Sequence, residues 1–200
     1  MDQKKKQWAL IGAATMALGA VAGAGWFLAR ERRTETPDYA LLDGDGDFEL
    51  RDYPPLLAIE THAAGARAAA LRTGFSRLAD YLFAKSRPGA PIEMTAPVLS
   101  DPTGDDGWRT RFLIPAALTR EALPAAPGEI TIVEIPARRM AATRFAGSAG
   151  DSSLATEEVA LRRWISDSGL IAQGPAEHAF YNSPMIPGPL RRNEIWIPVA

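Results

Sequence analysis

The 200-residue chain has no cysteine, so disulfides, thiolate metal sites and cysteine nucleophiles are excluded at once. It has two histidines, His62 and His178, which leaves little material for acid–base or multi-histidine metal chemistry. No GxSxG elbow, HExxH pair, phosphate loop or dinucleotide fingerprint occurs. Gly147-Ser148-Ala149-Gly150 lacks the strand–turn–helix setting of a phosphate loop and reads as a turn. With no catalytic motif, the residues point to binding and not to an enzyme.

Positive charge is scarce where it would matter for nucleic acid. Residues 1–33 hold six of the 22 basic residues and two of the 24 acidic ones, which leaves 16 basic against 22 acidic beyond them. Lys85 is the only lysine in that remainder. An acidic domain does not supply the clustered cations that phosphate backbones require, so nucleic acid is excluded as a partner.

What is present begins with Trp8–Ala29, a run of 22 residues without a charge. It is bracketed by Lys4-Lys5-Lys6 and by Arg30-Glu31-Arg32-Arg33. As a helix it would be about 33 Å long, enough for a hydrocarbon core of roughly 30 Å. Trp8 and Trp26 sit near its ends, where indoles favour the interface. Residues 1–33 are therefore expected to be an N-terminal membrane anchor, crossing through residues 8–29. A cleaved signal peptide is the rival reading, but the apolar run continues through Trp26-Phe27-Leu28 to a basic stop. The expected localisation is single-pass membrane, with the following domain outside the cytoplasm. Gly19 and Gly23 form a GxxxG pair, a pattern that arises easily in an Ala/Gly-rich span.

Residues 34–44 read as a polar linker and 45–200 as one domain. The alternating Asp43, Asp45 and Asp47 resemble a calcium loop, but its sixth position holds Phe48 and its twelfth Pro54. A solvated turn is the better reading. Beyond it, Phe48–Tyr53 and Leu56–Thr61 look like a hairpin around Pro54-Pro55. Arg67–Lys85 is helical, with Leu71, Phe75, Leu78 and Leu82 on one face. Ile92–Leu99 and Trp108–Ile114 read as strands, and Ile130–Ile135 and Arg139–Phe145 as another strand pair. Ser153–Ser168 is a second helix, capped by Ser153 and followed by Gly169. Residues 178–186 and Glu194–Val199 finish as strands.

Each half thus follows one order: two strands, a helix, two strands. Met94–Leu99 lines up with Tyr181–Ile186, and Leu113-Ile114-Pro115 with Trp196-Ile197-Pro198. The fold class is α+β, with two amphipathic helices against one curved antiparallel sheet.

Five blocks carry a family resemblance. They are Asp45-Gly46-Asp47-Phe48-Glu49-Leu50-Arg51-Asp52-Tyr53-Pro54-Pro55, Gly74-Phe75-Ser76-Arg77-Leu78-Ala79-Asp80-Tyr81-Leu82-Phe83, Ile92-Glu93-Met94-Thr95-Ala96-Pro97-Val98, Tyr181-Asn182-Ser183-Pro184 and Arg191-Arg192-Asn193-Glu194-Ile195. In this order, over about residues 38–200, the chain resembles the SOUL/haem-binding protein family. The resemblance implies two pseudo-symmetric βαββ repeats forming a distorted antiparallel β-barrel. That fold also serves small-molecule effector-binding domains of some bacterial regulators. It implies haem or a related tetrapyrrole in an apolar cleft beside the first helix, and no established reaction.

The residues offer candidates for such a cleft. Leu71, Phe75, Leu78, Tyr81, Leu82 and Met94 could line it, although packing onto the sheet is the simpler use of the helix face. His62 and His178 are candidate axial ligands, although a solvated loop histidine for the first and a strand-start histidine for the second are the simpler readings. Arg72, Arg77, Arg191 and Arg192 are candidate partners for propionates, or else a solvated helix face and strand bridges. A carrier or buffer of tetrapyrrole near the membrane is the leading reading. A sensor of another amphipathic molecule and a membrane-associated scaffold are the alternatives.

Overall fold

Tyr53 is joined to Leu56 by two prolines, and Ile135 to Arg138 by Pro136 and Ala137. Proline holds φ near −65° and has no N–H, so neither link suits the tight two-residue turn of a hairpin. In the computed structural model, which describes residues 33–85, 87–104 and 106–200, these links instead pass the chain between distant strands of one sheet. The strands are β1 (Ala40–Asp45), β2 (Phe48–Tyr53), β3 (Leu56–Ala64), β4 (Val98–Thr103), β5 (Gly107–Leu113), β6 (Thr131–Ile135), β7 (Arg138–Phe145), β8 (Glu177–Phe180) and β9 (Asn193–Pro198). The helices are α1 (Arg67–Leu82) and α2 (Asp151–Asp167). The unit Glu35–Ala200 is built around this nine-stranded antiparallel sheet, in the order β1-β2-β7-β9-β8-β4-β5-β3-β6.

The expected hairpins β2–β3 and β6–β7 do not form. β2 pairs with β1 and β7, while β3 pairs with β5 and β6. Because β6 is an edge strand and β7 lies near the other edge, a two-residue link between them requires the sheet to curl. The result is a half-barrel, and the α+β class expected from the sequence holds. Its repeats are β2-β3-α1-β4-β5 and β6-β7-α2-β8-β9, each lending its first strand to the other, with β4 and β8 paired at the centre.

Successive strand side chains face opposite sides of a sheet. On the inside of the curl, Tyr53, Leu99, Met140 and Trp196 belong to one core cluster. On the outside, α1 packs on β3 and β5 through Leu78, Leu82, Ile59 and Phe112, and α2 packs on β7 and β9 through Leu154, Leu161, Ile165 and Ile195.

Several boundaries move. The strand expected from Ile92 begins at Val98, because the chain before it is tied to other elements: Ile92 N donates to Leu82 O and Thr95 Oγ1 to Leu113 O. The strand expected over 178–186 ends at Phe180. Met94 therefore precedes β4 whereas Tyr181 follows β8, and that internal correspondence fails; Leu113-Ile114-Pro115 and Trp196-Ile197-Pro198 do lie at the ends of equivalent strands. α2 starts at Asp151 after Gly150, without a side-chain cap from Ser153. β1 occupies part of the stretch read as a linker.

The single-pass localisation is corrected. Among the described residues no helix is long and apolar enough to cross a membrane. Residues 8–29, on which that expectation rested, lie outside the described residues.

Candidate functional site

The site is built from the centre of the sheet outward. Val98 stands opposite Phe112 on one side and Phe180 on the other, and Ser100 stands likewise between Thr110 and His178. These two rows face outward, on the side that bears the helices. Phe112 is covered by α1, but Phe75 of α1, which meets it edge-on at 5.1 Å, remains 40% exposed. Val98 and Phe180 are half-buried. The loop that follows Phe180 displays Met185 and Leu190 to solvent. A run of incompletely buried apolar groups thus extends from α1 across β4 and β8.

His178 lies in the adjacent row and is 6% exposed. Trp108 is 5.7 Å from its ring and Phe180 6.4 Å, both between centroids. Its Nδ1 is buried without a hydrogen-bond partner. Burial, reinforced by Arg67, lowers its pKa to about 4, against the opposing pull of Glu158, Asp101 and Asp151. The imidazole is therefore neutral near pH 7, the form that binds metals. Arg67, the first residue of α1, donates to Asp151 and to Ala149 O, which ties the starts of the two helices together. Thr110 Oγ1, in the same row, is the other unpartnered polar atom on this face.

The remaining candidates separate. Leu78, Tyr81 and Leu82 are fully buried beneath α1, so they act as core; Tyr81 also donates to Pro124 O. Leu71 is half-buried, and Met94 is half-buried against the α1 cluster. His62 is exposed 3.6 Å from Glu60, on the face opposite Thr61 and Ile59, so it does not share the outer-face run. Arg72 is exposed on α1. Arg77 pairs with Glu129 at 3.2 Å and donates to His62 O. Arg191 donates to Ile186 O and Pro184 O, bracing the loop after β8. Arg192 pairs with Glu194 at 2.7 Å and lies over the Tyr181 ring.

Reading residues in order missed the polar interior of the curl. Glu194 is fully buried and accepts from Arg51, Arg192, Tyr181 and Trp196. Burial pushes its pKa up, but the Arg51 hydrogen bonds and the charges of Arg51 and Arg192 prevail and hold it at about 2. Arg51 itself lies over the Tyr39 ring and donates to Tyr53. A second network joins Asp101 to Arg109 and Arg111, and Glu177 to Arg111 and Arg138. In both networks guanidinium pairs with carboxylate, although in the second Arg111 Nε and Arg138 Nε are buried without a hydrogen-bond partner. A shallow surface depression of about 350 Å³ near the chain end is lined by Asp52, Tyr53, Ala137, Arg138, Arg139, Val199 and Ala200. None of the candidate residues lines it, and its charged wall is unsuited to an apolar macrocycle. Among the described residues, no group of three metal-ligating side chains is gathered.

A doubled half-barrel with two helices outside defines an α+β module of paired strand–helix repeats. A family model described as SOUL heme-binding protein matches residues 34–198, and the chain belongs to that family. The family is one of binding proteins, and membership supports haem or a related tetrapyrrole as ligand. No curated protein matches significantly. Among solved structures, a chain of the EcmrR–DNA complex in EcmrR-RPo is similar with a TM-score of 0.59 at 12% identity, covering 98% of this chain and 70% of that one. The EcmrR C-terminal domain gives 0.53 at 16% identity, over 81% and 98% of the two chains. A hydrolase from Listeria innocua gives 0.54 at 12% identity, over 79% and 94%. At these identities the likeness is one of fold alone.

Haem needs an apolar surface for the ring, cations for its carboxylates and, for iron ligation, an unprotonated donor. Phe75, Val98 and Phe180 would supply the first and Arg72, exposed on α1, the second. His178 Nδ1 is sealed from solvent, so the residues fit the ring and its carboxylates but not a bond from this nitrogen to the iron.

Proposed function

We propose that this chain holds haem or a related tetrapyrrole against the outer face beside α1, and serves as a carrier or buffer and not as a catalyst. The observation that carries this reading is the solvent-facing apolar run of Phe75, Val98 and Phe180. Phe75 alone leaves roughly 80 Å² in contact with water, and covering it is worth about 2 kcal/mol. Arg72, on the same helix, can reach a carboxylate at the edge of an apolar ring. A ligand on an open surface exchanges readily, which suits transfer better than permanent retention.

Titrating haem into the full-length protein and following the Soret band tests this. A saturable shift is expected at micromolar haem, weakened at least about tenfold by Phe75→Glu, which places a charge beneath the ring. No shift at micromolar haem would overturn the reading. The same apolar run could accept another amphipathic molecule. Thermal shifts with a compound panel, and none with haem, would favour that second reading.

A further inference from the structure

Tyr39 reaches into the curl from the segment before β1 and packs against the inner core cluster. Beneath its ring lies the guanidinium of Arg51, 4.5 Å from the ring centroid. The edges of that guanidinium are taken. Its Nε donates to Glu49, one terminal nitrogen to Tyr53 and Glu194, and the other to Glu194. With each nitrogen committed at its edge, Arg51 presents its flat face, which attracts an aromatic ring. Tyr53 stands beside Tyr39 at 5.2 Å between centroids, and Glu49 Oε2 accepts from the Tyr39 hydroxyl at 3.2 Å. The fold thus builds a slot for one flat ring with a hydrogen-bond donor on its rim, and fills it with its own tyrosine.

The occupant is held more loosely than the slot. Arg51 and Tyr53 lie on β2, which has a strand on either side, and they are 1% and 3% exposed. Tyr39 is half-buried, and Thr36 and Asp38 before it are exposed. The segment is otherwise tied through Glu35, whose carbonyl accepts from Ala96 N and whose carboxylate accepts from Ala116 N. β1, which follows, pairs with β2 alone and is exposed at all six positions. Few buried contacts and exposed hydrogen bonds characterise a segment that opens without global unfolding.

We propose that residues 35–39 form a displaceable strap over a binding slot for a phenol or similar flat aromatic with one hydrogen-bond donor. Tyr39 stands in for that ligand. The slot is inside the curl and the apolar run outside it, so this inference does not depend on the tetrapyrrole reading.

The test uses the full-length protein and 4-methylphenol, which is the tyrosine side chain as a free molecule. Toluene serves as the same ring without the hydroxyl. Tyr39→Ala empties the slot and leaves Arg51, Glu49 and Glu194 in place. It should be stabilised saturably by 4-methylphenol in thermal melts, with a Kd on the order of 1 mM, ordinary for a ligand of this size. Toluene should bind on the order of tenfold more weakly, because it cannot donate to the Glu49 carboxylate. Wild-type protein should bind 4-methylphenol on the order of a hundredfold more weakly than the variant, since only the opened fraction is competent. The Ala96 amide, bonded to Glu35, reports that opening. Its hydrogen exchange in the wild type should be faster than that of the β2 ladder amides, and faster still with 4-methylphenol present. If Tyr39→Ala keeps its far-ultraviolet circular dichroism and binds no 4-methylphenol, the slot assignment is wrong. Equal binding of toluene would overturn the requirement for a donor. If Tyr39→Ala does not fold, the wild type decides. Exchange at Ala96 that follows global unfolding alone, unaltered by 4-methylphenol, would overturn the strap.

Discussion

At the scale of single residues, two buried titratable groups set the acid sensitivity of the fold. His178 has a pKa near 4 in the folded protein against 6.5 ordinarily. Below pH 6.5 the unfolded chain takes up a proton that the folded one refuses, so stability falls as pH drops from about 6.5 to 4, by up to about 3 kcal/mol. Glu194 contributes stability above its ordinary pKa of 4.5, and this is lost as pH falls toward about 2. Urea unfolding of the ligand-free protein across pH 7 to 3 should show both slopes, and His178→Phe should flatten only the upper one. Arg51 matters for a different reason. Arg51→Ala leaves a fully buried carboxylate short of its main partner and should cost about 3–5 kcal/mol in denaturant unfolding. Arg51 and Glu194 stand 143 positions apart, so no local pattern announces their pairing. The histidines could be named from the sequence, but which was buried and which exposed followed from strand pairing alone.

Among the elements, α1 was the most readable and β1 the least. The apolar stripe Leu71, Phe75, Leu78 and Leu82 identifies a helix, because a helix must bury one side. β1 is exposed at all six positions, so it has no alternation to reveal it, and its pairing with β2 is what makes it a strand. The cleft residues divide by their place on the helix: Leu78 and Leu82 face the sheet squarely, while Phe75 lies toward the side left uncovered. Gly74 explains how α1 comes so close. A Cβ there would meet Thr110 Cβ at 2.8 Å and collide with its hydroxyl. Glycine to alanine inside a helix ordinarily stabilises by about 1 kcal/mol. At Gly74 the sign should reverse, with Gly74→Ala losing about 1–3 kcal/mol to overpacking. The melting temperature would fall accordingly, and adding Thr110→Ala should recover part of it. A rise in melting temperature for Gly74→Ala would contradict this packing.

At the level of the molecule, closure of the curl depends on residues before the first strand. Glu35 accepts from Ala96 N through its carbonyl and from Ala116 N through its carboxylate. Tyr39 packs on Tyr53 at 5.2 Å and donates to Glu49. This short segment joins the β4 and β5 ends to β2 across the half-barrel. Removing residues 33–39 from the full chain should cost about 3–4 kcal/mol, from three hydrogen bonds and one aromatic contact. That is a drop of several degrees in melting temperature; no change would show that the segment carries no stability.

The order of residues was enough to establish an α+β domain with two amphipathic helices, a doubled strand–helix pattern and its family, because periodicity and short sequence blocks are local properties. It was not enough to pair the strands. Pro54-Pro55 and Pro136-Ala137 looked like hairpin corners until the sheet curled and sent each strand to a partner in the other repeat. That pairing, which joins residues far apart in the chain, put His178 beside Phe180 on the outer face, set His62 on the other side, and closed Arg51 on Glu194 inside. Long-range register decides such placements, and it is a property of the folded chain and of no segment within it.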